Sequence, residues 1–175
     1  QSIKIAVKFN HSILIFQNRD SVKHFKHLNI MNNKTKYIIT KGSGVDLNFF
    51  KPKIKKKKSY NVLLASRMVW EKGVKEFFEA YKIINKKKLN INFILAGRVD
   101  KDSPSAINLK HLKEMNSNKN KNFKWIGFQK NIKKIINYSD LIVLPSYHEG
   151  ALKILLEAAA CGKPIVASNI NGCRE

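Results

Sequence analysis

Residues 145–175 read PSYHEGALKILLEAAACGKPIVASNINGCRE. The apolar run just before them, Asp140-Leu-Ile-Val-Leu144, lacks alternation and so reads as a strand buried on both faces. The turn Pro145-Ser-Tyr-His148 comes next, which places Glu149 at the carboxyl edge of a sheet, where open α/β folds bind ligands. A short helix then carries Glu157, eight positions on and about 12 Å along the axis. A Gly162-Lys-Pro164 turn leads into a further strand. The spacing alone says little, because the same gap separates Glu71 from Glu79 on what reads as the solvated face of an ordinary amphipathic helix. Position at a sheet edge distinguishes the later pair.

The helix after Gly150 aims unpaired backbone N–H groups and a partial positive charge back at that edge, an arrangement that suits a diphosphate. Carboxylates accept hydrogen bonds from hydroxyls, each charge-assisted bond contributing roughly 1.5–3 kcal/mol net. A ligand with hydroxyls at both ends and phosphates between them, a sugar nucleotide, meets all three features. Upstream, the chain alternates strand and helix from residue 61: strands at 61–66, 92–97, 123–126, 140–144 and 164–168, and helices at 72–86, 105–116, 130–138 and 151–161. Apolar strands in regular βα order predict a doubly wound parallel sheet with right-handed crossovers, a Rossmann-like α/β fold.

Arg67 ends the first strand of this series and Lys72 starts the next helix, so both can converge above the same carboxyl edge as Glu149. Cleaving a sugar–phosphate bond leaves a nucleoside diphosphate anion, which fixed cations favour most where water is excluded. Arg matches the forked geometry of phosphate and Lys acts as a point charge. The competing readings, less favoured, are a surface salt bridge for Arg67 and an incidental surface lysine for Lys72.

Five segments in order resemble the retaining glycosyltransferases of the two-Rossmann-domain GT-B type, family four. They are Gly42-Ser-Gly-Val-Asp46 before Phe50, Ala65-Ser-Arg-Met-Val-Trp-Glu-Lys-Gly73, Leu95-Ala-Gly97 with Pro104-Ser-Ala-Ile107, the Glu149–Glu157 pair, and Gly162-Lys-Pro-Ile-Val-Ala-Ser168. The phrases Glu-Ala-Ala-Ala-Cys-Gly and Gly-Cys-Arg-Glu recur in the branch that builds polysaccharides and lipid-linked oligosaccharides. The resemblance implies that Arg67 and Lys72 hold the diphosphate, Glu149 contacts the donor sugar, Glu157 takes the ribose hydroxyls, and Gly150 and Ala151 offer backbone N–H groups. Gly42 and Gly44 permit the tight turn and close backbone approach that a hinge beside a diphosphate requires, a plain linker turn being the alternative, and Gly97 and Gly127 follow strands at the edge where the base should lie. Leu152 stands where many relatives have proline.

The resemblance further implies a UDP- or GDP-sugar donor, a glycan or polyprenyl-diphosphate-linked acceptor, no metal or other cofactor, and a cytoplasmic setting peripheral to the inner face of the membrane. Apolar runs and helical spacing predict a buried strand at 12–17, a helix at 19–30 and a strand at 37–40, and the resemblance implies that residues 1–41 are the end of the acceptor-side domain. Residues 42–59 are an interdomain linker that stays out of any core, and 60–175 are the donor-binding domain. Two domains of roughly 150–200 residues each would exceed the 175 residues present, so the chain is expected to be about half of such an enzyme.

Thirty-four Lys and Arg against 12 Asp and Glu give a formal charge of +22. Adhesion to an anionic membrane is one reading of that excess. Another is compositional, because Lys, Asn and Ile rise together, as an AT-rich coding sequence produces. Nucleic acid has no recognition helix, zinc spacing or aromatic-basic ribbon to support it. Cys161 and Cys173 read as buried thiols of a reducing compartment, and no run of 18 apolar residues is present to span a membrane. Asp100-Lys-Asp102 mimics a metal-binding motif of the other glycosyltransferase fold class, but reads here as a solvated turn. His24 and His27 share a helix face without a third ligand, and His148 beside Glu149 reads as supporting or surface. The sequence thus points to the donor-binding half of a retaining glycosyltransferase. An epimerase or phosphorylase of the same architecture and a basic membrane- or RNA-adhering module stand as rivals.

Overall fold

The structure is a computed structural model that describes residues 7, 12–40, 42–53, 59–149 and 153–174. These residues divide into two compact units. One contains the described residues up to 44 together with 149, 153 and 169–174, and the other contains those of 45–148 and 154–168.

In the first unit, strands β1 (Ile13–Phe16) and β2 (Lys36–Ile39) pair in parallel around helix α1 (Arg19–His27). The Asn18 side chain caps α1 by accepting from the Ser21 amide at 2.8 Å, and Phe16, Val22 and Met31 close a small core. The run at 12–17 is expected to be a buried strand, yet Ile15 is 70% exposed and Ile13 and Ile38 are exposed too. Leu14 and Phe16 point to the side that α1 covers, while no described element covers the opposite side of this sheet. A four-residue helix, α6 (Asn171–Arg174), also belongs to this unit.

The second unit is the predicted doubly wound fold. Its strands β3 (Tyr60–Ala65), β4 (Ile91–Ala96), β5 (Phe123–Trp125), β6 (Leu141–Leu144) and β7 (Ile165–Ala167) are all parallel, in the order β5-β4-β3-β6-β7. The chain winds outward from β3 to β5 and then crosses back to β6, so the winding reverses between β3 and β6. That reversal is the topological switch point at which such sheets bind ligands.

Alternation along β3 explains how both faces are covered. Val62 and Leu64 face a core shared with helices α2 (Val74–Lys86) and α3 (Leu109–Met115), whereas Leu63 faces one shared with α4 (Ile132–Tyr138) and α5 (Lys153–Ala160). The first core is aromatic. Phe77, Phe78, Tyr81, Phe93 and Phe123 interlock with ring centroids 4.9–6.1 Å apart, contacts that add about 0.5–1.5 kcal/mol per pair beyond area burial.

Several local expectations are corrected by packing. Phe50, read as part of the linker, is 7% exposed in the second core beside Leu63, Ile94 and Ile136. Asp46 makes this possible by accepting from the Asn48 and Phe49 amides and turning the chain inward. The helix predicted over 72–86 starts at Val74, preceded by a 3₁₀ turn, Trp70–Lys72, with left-handed Gly73 (φ 72°) as the break. The helix predicted from 105 starts at Leu109, because the Ile107 amide bonds to the Met68 carbonyl and the Ser105 carbonyl accepts from Trp70. Asp140 sits outside β6: its amide donates to the Asn61 carbonyl and its carboxylate accepts from the Asn61 amide, tying β3 to β6 at the amino edge.

Candidate donor site

A cavity of about 430 Å³ opens at the carboxyl ends of β3 and β4. That volume lies within the roughly 300–1,000 Å³ range of small-molecule sites. Arg67 lines it from the end of β3, Gly97 and Arg98 from the end of β4, Phe128 from beyond β5, and Ile132 and Ile154 from the first turns of α4 and α5. Its walls are mainly apolar, with cations at the rim. The Arg98 guanidinium lies 6.0 Å from the centroid of the Phe128 ring.

Hydrogen bonds past the strand ends stiffen this rim. Met68 bridges to Val99 in parallel fashion, with the Met68 amide 2.9 Å from the Arg98 carbonyl, and Val69 bridges to Ala106. The Gly97 amide donates to the Gly127 carbonyl at 2.8 Å, and the Trp125 indole N–H donates to the Gly97 carbonyl at 3.0 Å. A Cβ on Gly97 would fall 1.7 Å from the Ser66 carbonyl oxygen, so glycine is required by the close passage of two backbones.

Arg67 is 61% exposed, and its Nη1 donates to Asp100 Oδ2 at 2.5 Å. The carboxylate read as a solvated turn residue is therefore an ion-pair partner, 23% exposed. Among the described residues no cluster of three or more His, Cys, Asp or Glu has metal-binding geometry.

Lys72 does not line the cavity. It sits on the 3₁₀ turn, with its ammonium 3.4 Å from the His148 carbonyl. That turn is bonded from both sides. Toward the 103–107 loop, the Trp70 amide reaches the Ser105 carbonyl and the Ser105 hydroxyl donates to the Glu71 carboxylate. Toward the loop after β6, the Tyr147 amide reaches the Glu71 carbonyl and the Tyr147 hydroxyl donates to Glu76. A Cβ on Gly73 would lie 2.2 Å from the Pro145 carbonyl, so here too only glycine fits.

The Ser105 hydrogen bond is the largest cause holding the Glu71 carboxyl below the usual carboxylate range, aided by its own backbone and by Lys72 and Arg67. The sequence places Glu71 on a solvated helix face; it is exposed but tied. Tyr147 is raised above the ordinary phenol value, chiefly because it donates to Glu76.

Glu157 is 6% exposed on α5, facing inward with Ala158. Glu149 and Gly44 belong to the first unit, where Glu149 is half-buried and Gly44 exposed with a left-handed φ of 72°. Gly150 and Ala151 lie outside the described residues, as does Leu152. His148 is exposed. Cys161 is buried, which pushes its thiol up, while Cys173 is only half-buried.

Within the second unit, then, Arg67 and Gly97 are brought to one cavity, with the Gly127 carbonyl bonded to the Gly97 amide and Lys72 on the 3₁₀ turn outside it. Sequence reasoning gives no role to Ser105, Phe128 and Tyr147 and places Asp100 only in a solvated turn. Each is an isolated residue on a loop, with no periodicity to reveal it.

The family described as glycosyl transferases group 1 matches residues 45–175. A Campylobacter jejuni relative, N,N'-diacetylbacillosaminyl-diphospho-undecaprenol alpha-1,3-N-acetylgalactosaminyltransferase, is 35% identical over 98% of this chain and 46% of its own length. An Escherichia coli relative, UDP-Gal:alpha-D-GlcNAc-diphosphoundecaprenol alpha-1,3-galactosyltransferase, is 29% identical over 95% of this chain and 45% of its own. The chain thus spans a little under half the length of these curated relatives. Among solved structures, Anabaena HepE in complex with UDP-glucose matches 98% of this chain and 50% of that one, with a TM-score of 0.73 at 22% identity. A Rickettsia africae glycosyltransferase matches 98% and 49%, with a TM-score of 0.77 at 20% identity.

Proposed function

This chain belongs to the glycosyl transferases group 1 family, and we propose that it is the donor-binding half of a retaining, metal-independent glycosyltransferase. The enzyme moves a hexose or N-acetylhexosamine from a nucleoside-diphosphate sugar to a lipid-linked glycan. The observation that carries this reading is the cavity at the carboxyl edge of the sheet, at the ends of β3 and β4, apolar within and rimmed by Arg67. It suits a nucleoside whose diphosphate runs out past the strand ends. UDP is favoured over GDP because the E. coli relative is named for UDP-Gal and HepE was solved with UDP-glucose. A polyprenyl-diphosphate-linked acceptor is favoured because both relatives are named for one.

Arg67 forks onto the diphosphate and Lys72 adds a point charge, together stabilising the anion that forms as the glycosidic bond breaks. Protein cations thereby do the work that a divalent metal does elsewhere. Glu149 holds the sugar hydroxyls and Glu157 the ribose. Departure and attack take place on one face of the sugar, with the leaving phosphate helping to deprotonate the acceptor, so the anomeric configuration is kept. Both relatives are named for α-1,3 transfer, the outcome of retention from an α-linked donor. The enzyme works at the cytoplasmic face of the membrane, where the lysine excess aids contact with anionic lipid.

The test is a panel of UDP- and GDP-sugars offered to the full-length protein with polyprenyl-diphosphate-linked acceptors, in EDTA and in Mg²⁺. Transfer from a UDP-sugar in EDTA, with an α-linked product by NMR, is expected. A strict metal requirement removes the assignment of Arg67 and Lys72 as metal substitutes, and an inverted product removes retention.

A further inference from the structure

The Arg67–Asp100 pair stands at the cavity rim, and surface ion pairs of this exposure contribute little to stability. What distinguishes it is the frame on which it is mounted. Arg67 and Asp100 follow two adjacent strands whose pairing continues past their ends through the Met68–Val99 bridge and the bond from the Met68 amide to the Arg98 carbonyl. The Asp100 carbonyl also accepts from the Ser103 amide at 3.1 Å, which fixes the turn that carries the carboxylate. Both backbones are therefore set before any ligand arrives.

A guanidinium offers five N–H donors in one plane. The structure gives Asp100 a bond to Nη1, and a bond to one nitrogen restrains the side chain while leaving the other nitrogens to donate. A long, exposed side chain would otherwise sample many rotamers and lose that freedom on binding.

We infer that Asp100 is a positioning residue for Arg67, holding its guanidinium in the orientation that meets an anionic diphosphate. This rests on the assignment of Arg67 to the diphosphate. A carboxylate beside an anion site also repels the anion, but at this exposure water and salt screen the repulsion, whereas orientation is not screened. Removing Asp100 therefore weakens diphosphate binding rather than strengthening it.

The experiment is a double-mutant cycle on the full-length protein, titrating UDP calorimetrically into wild type, Arg67→Ala, Asp100→Ala, Asp100→Asn and the Arg67→Ala/Asp100→Ala double variant. Asp100→Ala is expected to raise the Kd on the order of threefold to tenfold, with the thermal midpoint unchanged. Asp100→Asn, which keeps an acceptor for Nη1, is expected to recover part of the loss. In the Arg67→Ala background Asp100→Ala is expected to do nothing. Unchanged or tighter UDP binding by Asp100→Ala, or an equal loss in both backgrounds, overturns the inference while leaving the role of Arg67 intact. If Arg67→Ala itself leaves UDP affinity unchanged, the underlying assignment of Arg67 fails, and the inference fails with it.

Discussion

At Gly97 the backbone passes so close to the Ser66 carbonyl that a methyl group has no room, and its φ of 148° is disfavoured for other residues. Gly97→Ala should therefore cost roughly 1–3 kcal/mol, read as a lower denaturant midpoint, and should weaken UDP binding as the rim deforms. Arg67 and Lys72 differ in kind, because neither is needed for packing. Each change to Ala in the full-length enzyme should lower kcat/KM by the equivalent of about 2–4 kcal/mol, as loss of a preorganised charge-stabilising group does, with thermal midpoints retained. In the proposed donor orientation Glu157 and Glu149 separate by ligand end. Glu157→Gln should weaken UDP binding, since the ribose loses a charged acceptor, whereas Glu149→Gln should spare UDP and slow transfer. Equal effects on UDP affinity would show the two ends of the donor to be misplaced.

The 3₁₀ turn that carries Lys72 is too short to hold its own geometry, so neighbouring loops hold it through Ser105 on one side and Tyr147 on the other. Both ties should be visible in titrations. Glu71 has a depressed carboxyl in the folded state, so its tie contributes stability above the ordinary carboxylate pKa and is lost as pH falls through the lower folded value. Ser105→Ala should move the Glu71 carboxyl midpoint upward by NMR. Tyr147 runs the opposite way: its raised phenol favours the folded state below the ordinary tyrosine pKa, and that contribution is lost as pH rises through the folded value. Glu76→Ala should bring the Tyr147 tyrosinate transition to lower pH. A Glu71 or Tyr147 midpoint unmoved by these changes would mean the ties do not persist in solution.

For the whole molecule, the 175-residue chain by itself should show no acceptor-dependent transfer even where circular dichroism reports a folded α/β protein. Catalysis needs the acceptor held against the anomeric carbon, and the relatives named for this chemistry are more than twice as long as the stretch they share with it. Robust turnover by this chain would refute a two-domain mechanism. The doubly wound sheet was legible because strand and helix periods alternate over residues 61–168 without a break, and Arg67 and Gly97 were legible because each ends a readable strand. The exposed faces of Ile13 and Ile15 and the burial of Phe50 were not, since periodicity shows which residues are apolar but not what lies opposite them. The sequence by itself determined the order of strands and helices and which motif residues fall at the carboxyl edge, because those follow from local period and chain direction. Only the tertiary structure decided that Asp100 meets Arg67 across 33 positions and that Tyr147 reaches Glu76 across 71. Such pairings are set by which strands come to lie side by side, and no local pattern encodes that.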